Sequence, residues 1–264
     1  MTTPHGQASG AAGRPAARLA RRLAVLLALF YVLPLGAAGC AYWFGGAPSH
    51  WSTASRTSAG IAPDPAATPE AVVQVYAARA YGWRGIFGVH TWFALKPAGA
   101  RGWERLEVIG WGVERGRRAV RAGPGIPDGR WYGNPPVLLA QLRGPAAAAV
   151  IPRLRAAAAA YPYPDRYTVW PGPNSNTFTA HLARQVPELR LDLPATAIGK
   201  DYPVDGIVAS TPSGTGWQLS LGGLAGIAVG VEEGVEVDLL GLGVGIDVVP
   251  PALRLPGFGR LGFD

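Results

Sequence analysis

A long apolar run near the N-terminus decides where most of this chain can go. Residues 23–44 carry no charge and are mostly apolar, over 22 positions. That is enough for a helix to cross a bilayer, which takes about 20 residues. Pro34, Gly36 and Gly39 weaken its second half as a helix. Arg14, Arg18, Arg21 and Arg22 precede the run, and the first 40 residues hold no acidic side chain. A basic flank of this kind stays in the cytoplasm. The rest of the chain is therefore expected on the periplasmic or extracytoplasmic side, held to the cell membrane by residues 1–44.

Two processing routes fit this segment. It serves as an uncleaved signal anchor, or as a signal peptide cut near the Ala-Ala-Gly-Cys run at 37–40. Small residues before a lone Cys resemble a lipoprotein cleavage box, although Ala37 stands where Leu is usual. Cys40 is the only cysteine, so an intrachain disulfide, a zinc ribbon and a downstream catalytic thiol are excluded. The net charge of +7 is uneven: residues 23–202 carry 18 basic and 10 acidic groups, and residues 203–264 carry 2 and 7. Nearly all the positive charge is arginine, which suits a face toward anionic lipid or cell-wall polymer. An exported chain without a nucleic-acid motif is not expected to bind nucleic acid.

Composition divides the remainder. Residues 45–67 are rich in Gly, Ser, Pro and Thr and read as a loosely ordered linker. Residues 68–202 read as an α+β domain. Thr68, Pro69 and Glu70 look like a helix start, and the apolar spacing predicts a helix over 68–80. Strands are predicted over 87–95 and 105–113, joined as a hairpin through 98–102, with a third short strand over 118–121. Helices are predicted over 136–142 and 145–160, then a strand over 167–170 and a helix over 176–186. Residues 203–264 alternate Gly with Val, Leu and Ile and read as a Gly-rich β extension, with strands over 217–221, 227–231, 235–240 and 244–249. Neither glycine cluster there has the Lys-Ser/Thr pair of a P-loop or the full dinucleotide fingerprint. No metal or cofactor is expected.

The segment 167–178, Tyr-Thr-Val-Trp-Pro-Gly-Pro-Asn-Ser-Asn-Thr-Phe, carries the chemistry. Its Pro/Gly break sets Ser175 at a helix N-terminus, where unpaired N–H groups and the dipole favour an anion or a polarised nucleophile. A serine hydroxyl needs a base beside it. Of His5, His50, His90 and His181, only His90 is placed to serve: His5 precedes the membrane run, His50 lies in the linker, and His181 is turned away on Ser175's own helix. Glu107 or Glu104 would orient the imidazole, and the hairpin register decides which. Ser175, Asn174 or Asn176 is equally a helix cap, and the two asparagines suit binding substrate or fixing the turn. Trp92 and Trp170, with Trp83, Trp111, Trp131 and Tyr132, would line a groove or fill a core, Trp92 facing Trp111 across the hairpin. Asp128, a loop acid among aromatics, would bind substrate or cap a turn.

These residues carry a resemblance. The Gly-Trp-Arg-Gly at 82–85, His90-Thr-Trp92, Asp128 with Trp131-Tyr-Gly133, Tyr161-Pro-Tyr163, the 170–178 segment and the Ala-Ile-Gly-Lys-Asp-Tyr at 197–202 resemble the bacterial domain-of-unknown-function (DUF) family 3750. The likeness runs over about 60–262. It implies no reaction. A strand His followed by Asn174-Ser175-Asn-Thr-Phe178 at a helix start also resembles the circularly permuted papain-like fold of lecithin retinol acyltransferase-type enzymes and cell-wall amidases. There the nucleophile is Cys; here Ser175 holds that position, and serine gives up its proton far less readily.

Three functions follow from this reading. Ser175 as nucleophile, His90 as base and Glu107 as orienting acid would make an acyl- or amide-bond hydrolase or transferase acting on lipid or cell-wall peptide. The same groove, lined by Asn174, Asn176, Trp92, Trp170 and Asp128, would serve a non-catalytic envelope module that binds a ligand or partner. A structural envelope protein is the third.

Overall fold

The apolar run folds as one long helix: α1 (Gly13–Leu27), a π turn (Ala28–Val32) and α2 (Leu33–Phe44). Pro34 has no N–H to donate to the carbonyl of Phe30 and its ring crowds that carbonyl, so the helix widens before it instead of breaking. The helix thus continues through Gly36 and Gly39. Ala16–Phe44, 29 residues, is long and apolar enough to span a membrane. Tyr31, Pro34, Leu35, Ala38 and Tyr42 are at least partly covered, at helical spacing, so one stripe of the helix lies against the body of the protein. The computed structural model describes residues 13–45, 50–204 and 206–262; His5 and linker residues 46–49 lie outside these.

An antiparallel sheet of five strands follows: β1 (Val72–Arg79), β2 (Val89–Lys96), β3 (Glu104–Val108), β4 (Val120–Pro124) and β5 (Val137–Arg143), in spatial order β4-β3-β2-β1-β5. The β2–β3 hairpin is as expected, but two expected helices are strands. Residues 72–79 form β1 because Val72, Val73 and Val75 are β-branched and the strand is central, buried on both faces. Such a strand loses the period-2 signal and looks like a buried helix. The Thr68-Pro69-Glu70 start caps nothing; Glu70 instead accepts from Lys96 through its carbonyl and from Arg143 through its carboxylate. Residues 137–143 form β5, paired with β1 across a register shift. Residues 167–170 form no strand.

α3 (Gly144–Ala159) and α4 (Ser175–Arg184) cover one face of this sheet, burying Val73, Val75, Phe93, Leu95, Leu106 and Phe178 among them. The other face holds Val72, Tyr76, Trp92 and Trp103, with Trp131 packed against them. Residues 55–62, expected to be loosely ordered, form a strap over this second face: Ser58 bridges to Gly129, and Arg130 and Gly133 donate to Thr57 and Ser55.

The Gly-rich segment forms a second antiparallel sheet, a seven-stranded meander of β6 (Val208–Ser210), β7 (Gly216–Leu221), β8 (Ala225–Gly230), β9 (Gly234–Leu239), β10 (Leu242–Val248), β11 (Pro251–Leu255) and β12 (Gly259–Gly262). The chain is therefore α+β, with the expected β-rich C-terminal segment. The inner face of this sheet is ionic. Arg254 is buried and bonds Asp247 through Nε at 2.5 Å, Asp192 through Nη1 at 2.9 Å and the Glu232 carbonyl through Nη2 at 2.9 Å. Lys200, from before the sheet, reaches Glu236 at 2.6 Å. Inner glycines make room for these groups: a Cβ at Gly243 would lie 2.3 Å from Glu236 Oε1. Arg254→Met should lower the unfolding free energy by about 3–5 kcal/mol, since it strands buried carboxylates without their cation. Chemical denaturation of the full chain in detergent measures this.

Candidate active site

The start of α4 is tied down by two asparagines. Asn174 is the N-cap: its Oδ1 accepts from the N–H groups of Asn176 at 2.9 Å and Thr177 at 3.2 Å, while Thr177 Oγ1 accepts from the Asn174 N–H at 3.1 Å. This reciprocal cap uses the donors that the helix start would otherwise turn outward. Among the described residues, only the Ser175 N–H of this first turn is without a hydrogen-bond partner. Asn174 Nδ2 donates to the carbonyls of Val169 and Ile198, and Asn176 Nδ2 to those of Val89 and Ile198. Both Nδ2 groups are thereby committed to backbone. Gly199, at φ +88°, approaches so closely that a Cβ would sit 2.5 Å from Asn174 Nδ2. The 197–202 motif is thus the clamp over the cap, a role that local spacing does not signal.

Ser175 is the first residue of the helix and is buried. Among the described residues no hydrogen bond involves its hydroxyl. Thr91 lies beneath it, its Oγ1 bonding Asn176 Oδ1 at 3.0 Å and Thr179 Oγ1 at 2.9 Å.

His90 precedes Thr91 in β2, so strand alternation sends it to the opposite sheet face. There Nε2 meets Glu107 Oε2 at 2.9 Å, and Arg105 Nη2 donates to the same oxygen at 2.7 Å. The register answers which acid accompanies His90. Leu95 pairs with Glu104 and Ala94 with Arg105, which puts Arg105 and Glu107 on His90's face and Glu104 on the other, where it bonds Arg155. The imidazole stacks on Trp131 with centroids 3.6 Å apart and planes 11° from parallel. Arg105, whose guanidinium also covers Trp92 at 4.5 Å, is a member of this cluster that sequence reasoning missed; the parity of β3 was the available signal.

Burial drives the His90 pKa below its ordinary value, against the Glu107 hydrogen bond and charge, and the Arg105 charge adds to the lowering. Burial pushes Glu107 up, but the His90 hydrogen bond and the Arg105 charge outweigh it and hold the carboxyl below its usual range. The pair is therefore a neutral imidazole on a carboxylate. Nε2 carries the proton, donated to Glu107, and Nδ1 keeps its lone pair.

His90 and Ser175 line one cavity of about 550 Å³. It opens where β2 and β3 part, beyond the Phe93–Leu106 pair, so groups from both sheet faces line it at the sheet's end. Aromatic rings of Trp83, Phe87, Trp111, Trp131, Tyr167 and Trp170 wall it. Trp170 is half exposed and donates Nε1 to the Leu240 carbonyl of the second sheet at 2.8 Å.

Two expected site residues lie elsewhere. Trp92 is wholly buried behind His90, its Nε1 bonded to the Pro127 carbonyl at 2.6 Å, and does not line the cavity. It does not face Trp111, which packs edge-on against Tyr132 at 4.6 Å. Asp128 is 1% exposed and holds the strap: it accepts from Ser58 Oγ at 2.7 Å, Ile61 N at 2.6 Å and Ala62 N at 3.1 Å.

The profile described as Protein of unknown function (DUF3750) matches residues 70–202, half of the chain. The chain belongs to that family. The DUF3750 match covers the five-stranded sheet, the cap and its clamp, and ends before the second sheet. No curated protein and no solved structure matches the chain.

Asp128→Ala should lower stability by about 2–3 kcal/mol through lost charge-assisted hydrogen bonds. It should also open the strap to trypsin at Arg56, read by limited proteolysis. Acid should weaken the fold through His90. The unfolded chain takes up a proton as pH falls through the ordinary histidine value of 6.5, while the folded imidazole resists it. Stability is thus full above pH 6.5 and falls below it; Glu107, depressed from 4.5, adds a further loss lower down. Melting temperatures between pH 7.5 and 5 should fall less in His90→Gln than in the parent chain.

Proposed function

We propose that this DUF3750 protein is an envelope protein anchored through α1–α2 that cleaves or transfers an acyl or amide group of lipid or cell-wall material. The observation that carries the reading is the shared cavity of Ser175 and His90, with burial keeping the imidazole neutral and Glu107 orienting it through Nε2, which leaves the Nδ1 lone pair available. Ser175 Oγ attacks the acyl carbon and forms the ester, and its proton passes to Nδ1. The imidazolium returns that proton to the departing amine or alcohol, and water then releases the acyl group by the reverse path. The Ser175 N–H and the α4 dipole face the oxyanion that forms. Asn174 and Asn176 act as positioning residues, and Trp170 with the other rings takes the apolar part of the substrate. The basic flank of α1 favours an extracytoplasmic body.

A second reading is a ligand-binding module without chemistry. It is favoured by the placement of His90 and α4 on opposite sheet faces and by the lack, among the described residues, of a hydrogen bond joining His90 to Ser175.

A fluorophosphonate probe on the detergent-solubilised full chain separates the two. The hydrolase reading expects labelling that is lost in Ser175→Ala and slowed about 10²–10⁴-fold in His90→Asn. An unlabelled parent chain whose tryptophan emission still saturates with added phospholipid or cell-wall peptide would support the binding module instead.

A further inference from the structure

The second sheet has its polarity reversed. An antiparallel sheet with one solvated face normally turns its charged residues to water. Here the register puts Gln218, Ala228, Glu236, Gly245 and Arg254 in one row on the inner face. Every charged strand residue, Glu236, Asp238, Asp247, Arg254 and Arg260, lies on that side. The outward rows are apolar and bare: Trp217, Leu219, Val229, Val237, Ile246 and Leu253 are 41–70% exposed, while Glu236 between two outward valines is 0%. Six strand spacings of about 4.8 Å by about six residues at 3.4 Å make a face of roughly 600 Å². An apolar patch of that size marks an interaction surface.

We infer that this outer face rests on the lipid bilayer beside the N-terminal helix, an inference that relies on the anchoring proposed above. The sheet is continuous with the helix. Gly257, in the β11–β12 turn, lies so near that a Cβ there would meet Ala38 Cβ at 2.8 Å and Leu35 Cδ2 at 3.6 Å. Ala38 and Leu35 are 6 and 9 residues before Phe44, the end of the apolar run, so the turn sits about 9–14 Å along the helix from that end. That is at or a few ångströms beyond the depth of about 5–10 Å at which interfacial elements bury an apolar face. The strands have at most seven residues, short of the roughly 9–11 a spanning strand needs, and β6 and β12 leave open edges that hydrocarbon would not tolerate. The sheet therefore lies on the membrane and does not cross it. A second copy is the other covering for such a face, but the bare helix beside it already requires lipid on that flank.

Nitroxide labels on the full-length Cys40→Ser chain, reconstituted in phosphatidylcholine–phosphatidylglycerol vesicles, test this. Labels go at Val237→Cys and Val229→Cys on the outer face, at Val32→Cys on the helix and at Arg115→Cys on a water-exposed turn. Collision with oxygen is compared with collision with a water-soluble nickel chelate. The inference expects the oxygen preference at Val237 and Val229 to be several-fold above that at Arg115 and below that at the deeper Val32. Sheet labels that behave like Arg115 while Val32 stays in lipid would overturn the inference and leave the anchor intact. A Val32 label open to the nickel chelate would overturn both. Sheet labels shielded from both reagents, with spin–spin broadening between copies, would assign the face to a second chain and overturn the inference.

Discussion

Two carboxamides hold this molecule's centre together. Asn174 and Asn176 between them reach the backbone at Val169, Val89 and Ile198 and close the first turn of α4. The loop at Val169, the start of α4 and the loop at Ile198 are thereby fixed to one strand, β2, that also presents His90. A buried polar network of this kind is stabilising only when every member is satisfied, and here the amides, the Thr91 hydroxyl and the Thr177 hydroxyl all have partners. The helix start can be rigid and still leave Ser175 uncommitted because the neighbours on either side do the fastening.

Much of the site was legible from local chemistry. The Pro-Gly-Pro-Asn break announced the start of α4, the hairpin placed His90 near an acid, and α3 followed from its alanines and flanking turns. What failed was the distinction between a buried strand and a buried helix. β1 is covered on both faces, so its valines run together without alternation, and the Thr-Pro-Glu preceding it imitates a helix cap. The choice between Glu104 and Glu107 needed a register that turn chemistry alone did not supply, and the three-residue overlap of β2 with β3 settles it. Asp128 looked like a ligand-binding acid because its partners, Ser58, Ile61 and Ala62, lie some seventy positions away in a segment whose composition promised no order.

The pairing of His90 with Glu107 also shows how burial and charge trade against each other. In water a histidine beside a carboxylate gains a proton. Under Trp131 the desolvation cost of imidazolium exceeds that gain, and Arg105 removes part of the carboxylate's pull. The aromatic cover thus leaves an oriented, neutral imidazole where water would favour an ion pair.

The ammonium of Lys200 binds the two sheets into one inheritance. It lies two residues inside the DUF3750 match, is almost wholly enclosed, and finds its counter-charge on Glu236 of the meander beyond. Arg184 also reaches across from α4, donating to Gln218 Oε1 and the Ser210 carbonyl. A shortened chain ending where the family match ends would keep these two cations and lose the carboxylate that pairs with Lys200 and two hydrogen-bond acceptors of Arg184. The family-matched segment thus leans on partners supplied by the sheet beyond its boundary.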